Sequence, residues 1–170
     1  MEHFSASTEK ADVFRKTEDY ITKLGFSIAG KDENRPWGGF LVLAESQAPE
    51  FVNTFFSHLS MKDFEGFDKL SPKILIVAPG KRLSWQYHHR RAEIWKVIGG
   101  DAAIVVSDTD EETPERALPL GTVISLKKGE RHRLIGTDGY GIVAEIWQHT
   151  DAANPSDESD IVRVQDDFGR

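Results

Sequence analysis

The residues with the clearest capacity for chemistry lie in one short stretch between Gly80 and Gly99. This stretch contains Gln86, His88 and Glu93, which carry an amide, an imidazole and a carboxylate. Gln86 and His88 are two residues apart on a predicted strand, so their side chains point to the same face and can share one ligand. Amide, imidazole and carboxylate groups are all ligands for divalent metal ions. The stretch therefore predicts half of a metal site.

Two turns are predicted to bring these three side chains and a fourth one together. Glu93 follows a break at residues 89–91, where the chain can turn and send a second strand back beside the first. Such a turn would place the carboxylate opposite the amide and the imidazole. A fourth ligand is available in His132, which follows the predicted strand at 123–126 and the glycine turn at Gly129. We therefore expect four side chains to converge.

The elements that must position these residues are short strands. From residue 73 onwards, apolar segments alternate with Gly, Pro and charged turns, at 74–78, 83–88, 93–98, 102–106, 123–126 and 141–147. Regularly spaced short strands without intervening helices predict an all-β fold, an antiparallel sandwich or barrel. The run at 40–44 is predicted to be a further strand.

Helices are predicted only before these strands. Residues 7–24 place apolar side chains at helical spacing, and Pro49 begins a second short helix near 49–58. Residues 30–34 are polar and predict a turn. We expect residues 1–34 to form an N-terminal helical extension packed on the domain, and residues 35–170 to form the domain itself with a C-terminal tail.

Composition limits the possible partners and location. The chain has 170 residues, no cysteine and a net charge of −7, which repels a nucleic-acid backbone but leaves room for a locally basic pocket that binds a small anion. No apolar run reaches the eighteen or so residues of a membrane helix, and no secretory signal opens the chain. We expect a cytoplasmic protein that binds neither nucleic acid nor membrane. The aromatic segments are compatible with a homodimer.

The metal-site residues also resemble a known family. The pattern G-x5-Q-x-H-x4-E-x5-G, followed by G-x5-K-x-G-x2-H, closely resembles the two motifs of the cupin superfamily, with Gln86 at the usual first His and Lys127 at the usual Pro. The resemblance implies a double-stranded β-helix, also called a jelly-roll barrel. It also implies that the barrel interior holds the metal ligands, which would be Gln86, His88, Glu93 and His132.

A narrower resemblance is to type II phosphomannose isomerase, a cupin domain that larger proteins carry behind a mannose-1-phosphate guanylyltransferase. The set Gln-His-Glu-His and the sequence around residues 83–88 are similar to zinc-type phosphomannose isomerases. Four further pieces resemble the type II domain in order, at 35–38, 79–93, 129–134 and 160–170. This resemblance implies a metal-dependent aldose–ketose isomerase for a phosphorylated sugar, most simply mannose 6-phosphate and fructose 6-phosphate, acting through an enediolate.

The ligand set is compatible with one divalent ion, with zinc favoured and iron, manganese, cobalt or nickel also suited. An isomerase needs a base, for which the candidates are Glu145 on the last predicted barrel strand and His89 beside the ligand pair. Guanidinium groups bind phosphate well, and the candidate substrate-binding residues are Ser84, Arg91, Arg133, Arg163 and Arg170. The alternative is a non-catalytic or differently specific cupin that binds a sugar or a nucleotide sugar.

Overall fold

The structure is a computed structural model that describes residues 1, 3–66 and 69–169. The helices and strands in this part of the chain are α1 (Lys10–Lys23), β1 (Ile28–Arg35), β2 (Gly38–Leu43), α2 (Ala48–Phe55), β3 (Lys73–Val77), β4 (Trp85–Tyr87), β5 (Arg91–Gly99), β6 (Ala102–Ser107), β7 (Arg116–Leu118), β8 (Val123–Leu126), β9 (Arg131–Gly136), β10 (Gly141–His149) and β11 (Val162–Gln165). No helix among them is long and apolar enough to cross a membrane.

The strands form two antiparallel sheets. One has the order β1-β2-β3-β10-β5-β8 and the other the order β11-β4-β9-β6-β7. Their facing sides bury a shared apolar cluster that includes Leu75, Val77, Ile104 and Leu134. Sheets that pack face to face around such a core form a sandwich or jelly roll. The predicted all-β jelly-roll barrel is therefore confirmed.

A second apolar core lies on the outer face of the six-stranded sheet. Helix α1 contributes Phe14 and Ile21, and helix α2 contributes Phe51, all with 1% or less of their surface exposed. Strand β3 is buried on both faces, with Ile74 and Ile76 toward the helices and the alternate residues toward the barrel. This explains why residues 73–77 form a nearly continuous apolar run instead of an alternating one.

Both predicted helices are confirmed, with shorter bounds. Helix α1 ends at Lys23 and is followed by its C-cap residue Leu24 and by Gly25, whose φ of 93° is in the left-handed region that favours glycine. The prediction of a turn at 30–34 is wrong, because these residues lie in β1 and pair with β2. Their polarity gave no strand signal because β1 is the edge of its sheet and its side chains are largely solvated. The division of the chain at residue 34 stays a prediction, and strand β1 crosses it.

Candidate metal centre

Three predicted ligands converge inside the barrel. His88 directly follows β4, Glu93 lies on β5 and His132 lies on β9, and one potential ligand atom from each lies within 4.8 Å of the others. The Nε2 atom of His88 is 3.1 Å from Oε1 of Glu93, and the Nε2 atom of His132 is 3.4 Å from Oε2. All three residues are 2% exposed or less. The carboxylate thus lies between the two imidazoles.

The hydrogen bonds of the two histidines determine their tautomers. Nδ1 of His88 lies 2.9 Å from the carbonyl oxygen of Asp160, and Nδ1 of His132 lies 2.9 Å from that of Glu130. A carbonyl only accepts hydrogen bonds, so each Nδ1 carries the proton and each Nε2 lone pair faces the cluster. Nε2 of His132 is buried without a hydrogen-bond partner. This orphaned nitrogen, together with a neighbouring imidazole and carboxylate, fits a divalent metal ion.

Gln86 reaches the same face of the barrel. It is directly opposite His132 in the pairing of β4 with β9, and directly opposed residues of paired strands have neighbouring side chains. Its Oε1 atom accepts a hydrogen bond of 2.6 Å from Oγ of Ser84, and the residue is 9% exposed. The structure therefore brings the four predicted ligands together, and metal binding by them stays a prediction.

Arg91 holds Glu93 in place with a buried positive charge. Its Nε atom donates to Oε1 of Glu93 at 2.7 Å, Nη2 lies 3.1 Å from Nε2 of His88, and the guanidinium lies 3.7 Å from the ring centre of Trp147. Burial by itself would raise the pKa of Glu93, but the buried positive charge of Arg91 holds that pKa well below its usual range. Burial also lowers the pKa of His88. The site thus favours a carboxylate beside neutral imidazoles, the forms that bind metals.

A second carboxylate lies beside this cluster. The indole Nε1 of Trp95 lies 3.1 Å from Oε2 of Glu93 and 3.0 Å from Oε1 of Glu145, so its one proton is shared between the two carboxylates. Glu145 is on β10, paired with Trp95 across the sheet, and is 5% exposed. Burial, followed by the negative charge of Glu93, raises the pKa of Glu145 to about 8. Of the two candidate bases, Glu145 is the one that faces inward.

A cavity of about 80 Å³ lies beside this cluster. The predicted site residues on its wall are Ser84, Gln86, Arg91, Glu93, Glu145 and Arg163. The wall also includes Arg35, Lys73 and Glu158, which sequence reasoning did not select. Lys73 is the one basic residue of the otherwise apolar strand β3, and a charged residue within such a buried strand could have indicated a functional role from the sequence. The cavity thus brings Glu93 of the candidate metal cluster together with several cationic side chains.

Four of the predicted site residues that the structure describes are not on this wall. Two of them, His88 and His132, lie next to Glu93, which is on it. The other two are His89 and Arg133. His89 is exposed and packs edge-on against Tyr87, with ring centres 5.2 Å apart. Arg133 is fully buried, but its Nη1 donates to Glu112 at 2.6 Å. Arg133 follows His132 on β9, so the alternation of the strand sends its side chain away from the cavity. His89 follows His88 in the bend after β4, where its backbone N–H donates to Asp160. Arg170 lies outside the described residues.

Comparison with known proteins gives a family and a fold. The family model "Mannose-6-phosphate isomerase C-terminal" matches residues 60–166. The alginate biosynthesis protein AlgA of Pseudomonas aeruginosa is 34% identical over 101 residues, which cover 58% of this chain and 19% of that protein. A mannose-1-phosphate guanylyltransferase of Klebsiella pneumoniae is 30% identical over 99 residues, which cover 56% and 19%. The chain thus spans about a fifth of the length of these relatives.

Among solved structures, recombinant oxalate oxidase in complex with glycolate aligns with 83% of this chain and 64% of its own, at a TM-score of 0.53 and 17% identity. At this identity the likeness supports the fold alone. It agrees with the two-sheet jelly roll described above and leaves the chemistry to be argued from the site.

Proposed function

The chain belongs to the mannose-6-phosphate isomerase C-terminal family, and we propose that its barrel cavity is the active site of a metal-dependent aldose–ketose isomerase. The proposed substrates are phosphorylated sugars, with mannose 6-phosphate and fructose 6-phosphate as the first pair to test. The observation that carries the proposal is a buried metal-ligand cluster beside an inward-facing carboxylate, both held by the indole of Trp95. These are the parts that isomerisation between adjacent carbons requires.

The metal ion would be held by His88, Glu93 and His132, with Gln86 as the fourth ligand. When bound, it would polarise the sugar carbonyl and the adjacent hydroxyl and stabilise the negative charge of an enediolate. Gln86 is neutral, so the ligand set carries one negative charge, that of Glu93. A second carboxylate at this position would neutralise more of the charge of the ion.

Glu145 is the proposed base. In the forward direction its carboxylate would take the proton from C2 of the aldose and return it to C1, while the hydroxyl proton on O2 passes to O1. A carboxyl group whose pKa is raised to about 8 binds a proton more readily than an ordinary carboxylate does, which suits it to this transfer near neutral pH. The hydrogen bond from Trp95 holds the Glu145 carboxylate beside Glu93, one of the proposed metal ligands.

The test is an assay of sugar-phosphate interconversion with the metal content of the protein measured in parallel. We expect the wild-type protein to convert mannose 6-phosphate to fructose 6-phosphate. Glu145→Gln should retain the metal and lower kcat by at least about a hundredfold, since general bases contribute roughly 10² to 10⁴ in rate. Glu115→Gln, at an exposed position, is the matched control and should leave kcat unchanged.

Failure of the metal-loaded wild-type protein to convert any tested aldose or ketose phosphate would refute the isomerase proposal. Binding of a sugar or a nucleotide sugar without conversion would instead support the alternative of a non-catalytic or differently specific cupin. A normal kcat in Glu145→Gln would leave the activity in place and remove Glu145 as the base.

A further inference from the structure

Lys73 is a buried cation inside the cavity. It is the first residue of β3, and its side chain points to the barrel interior, as Leu75 and Val77 do further along the strand. Its Nζ atom is 3.9 Å from the ring centre of Trp147 and 5.5 Å from that of Phe40. The residue as a whole is 7% exposed. An ammonium group in such a place needs an anionic partner, because burying an unpaired charge costs several kcal/mol.

The partner of this ammonium is Glu158, in the segment between β10 and β11. The two members of the ion pair differ greatly in exposure, since the Lys73 side chain is 9% exposed and the Glu158 side chain 61% exposed. Glu158 can therefore turn into water at little cost in solvation, whereas Lys73 cannot follow. Another anion that enters the cavity can take its place beside Lys73.

The segment around Glu158 is anchored at neighbouring residues. Ser156 donates to Asp160 at 2.7 Å, and Asp157 accepts hydrogen bonds from Ser159 at 2.6 and 2.9 Å. These bonds keep the backbone in place when the Glu158 side chain rotates. Exchange of the anion at Lys73 therefore needs only a side-chain movement and no opening of the fold.

We propose that Lys73 binds the phosphate group of the substrate and that Glu158 is an internal anion which the phosphate displaces. This inference deepens the proposed function, because it rests on a phosphorylated sugar as the ligand. A phosphate monoester carries a charge of about −1.5 to −2 near pH 7, against −1 for the carboxylate, so it competes well for a buried ammonium. The guanidinium of Arg163 lines the same cavity and adds to the positive charge there.

The inference is tested by calorimetric titration with inorganic phosphate, mannose 6-phosphate and mannose, with equal metal content in all proteins. Lys73→Met should weaken phosphate binding at least about tenfold, because Met fills the same space without the charge. Glu158→Gln should tighten phosphate binding about threefold to tenfold, because the competing carboxylate is gone. Neither variant should change the binding of mannose, which carries no phosphate, by more than about twofold.

Two exposed positions supply matched controls. Lys128→Met and Glu115→Gln change the net charge by the same amounts and should leave phosphate affinity unchanged. Thermal unfolding of Lys73→Met verifies that the barrel is intact, and Glu158→Gln, at a solvated side chain, tests the inference without disturbing the core. The two variants should shift the affinity in opposite directions, which general damage to the fold would not do.

Unchanged phosphate affinity in Glu158→Gln, or in folded Lys73→Met, would overturn the inference, as would absence of phosphate binding to the wild-type protein. If sugar phosphates are interconverted and the two variants bind phosphate normally, the isomerase proposal stands and the role of Lys73 falls. If no sugar phosphate is converted but the two affinities shift as expected, the phosphate site stands and the isomerase proposal falls.

Discussion

Asp160 supports the candidate metal centre from outside the set of predicted ligands. Its carboxylate accepts hydrogen bonds from the backbone N–H groups of His89 at 3.1 Å and Arg90 at 2.9 Å, and from Oγ of Ser156 at 2.7 Å. Its own carbonyl oxygen accepts the Nδ1 proton of His88. One residue of the C-terminal segment thus holds both the turn after β4 and the imidazole of a predicted ligand.

Substitution of Asp160 by Asn should destabilise the fold by about 2 to 3 kcal/mol. Asn has one acceptor oxygen in place of two, so at least one of the three donors is left facing an NH₂ group. Asp160 is 6% exposed, and a hydrogen bond to a charged group contributes about 1.5 to 3 kcal/mol. For a chain of this size such a loss lowers Tm by roughly 4 to 12 °C. Displacement of the turn should also move the imidazole of His88, a predicted ligand, and so weaken metal binding at least about tenfold.

Urea unfolding followed by tryptophan fluorescence, together with calorimetric metal titration, measures both effects. The matched control is Asp157→Asn, whose side chain is 59% exposed and whose substitution should cost less than about 0.5 kcal/mol. Burial by itself would raise the pKa of Asp160, but hydrogen bonds from Ser156 and the backbone hold it below its usual value. The stabilisation is therefore present above about pH 4 and is lost as the pH falls further, so the difference between wild type and Asp160→Asn should shrink there. A difference below about 0.5 kcal/mol at pH 7 would refute the reasoning.

Two further predictions concern other parts of the barrel. Burial, with nearby positive charges, lowers the pKa of His149 to about 4, and its neutral ring accepts the N–H of Ser156 at 2.9 Å. Stability from this group is present above the ordinary pKa near 6.5 and is lost toward pH 4. Urea unfolding at several pH values between 6.5 and 4 measures this effect. The free energy of unfolding of the wild type should fall by up to about 3 kcal/mol more than that of His149→Gln over this range. Free energies of unfolding that fall in parallel with pH for the two proteins would contradict the prediction. Gly38 has φ 141°, and an added Cβ would lie 1.9 Å from the carbonyl oxygen of Ile76. Gly38→Ala should therefore lower Tm by more than about 8 °C in a thermal melt. The control is Gly30→Ala, whose added Cβ would lie 4.0 Å from its nearest neighbour and should not lower Tm by this amount. Equal Tm values for the two variants would show that the barrel accommodates the Cβ of Gly38→Ala without strain.

Sequence reasoning succeeded where residue type and spacing carry the information. The period-two spacing of Gln86 and His88, the turn before Glu93 and the glycine turn before His132 all correspond to positions that the barrel brings together. The apolar runs predicted most of the strands for the same reason, since burial on one or both faces leaves a pattern in the sequence. Strand β1 was missed because an edge strand pairs through its backbone, which any side chain permits.

The choice between Glu145 and His89 could not be made from the sequence alone. Both have suitable side chains, and only the pairing of β10 with β5 shows that Glu145 shares an indole proton with Glu93. His89 and Arg133 are next to ligands in the chain but point away from the cavity. Proximity in sequence is therefore a poor guide to a residue's place on an extended strand, where neighbours face opposite sides.

What the sequence by itself determined is the fold class, the family and the four side chains of the predicted metal site, because motif spacing and apolar periodicity are local properties of the chain. What only the tertiary structure decided is the surroundings of that site. Lys73 is 85 residues from Glu158 in the chain and Asp160 is 72 residues from His88, and each pair meets only after the segment before β11 folds back over the barrel. Contacts of this kind depend on where distant strands end, and no local pattern records them.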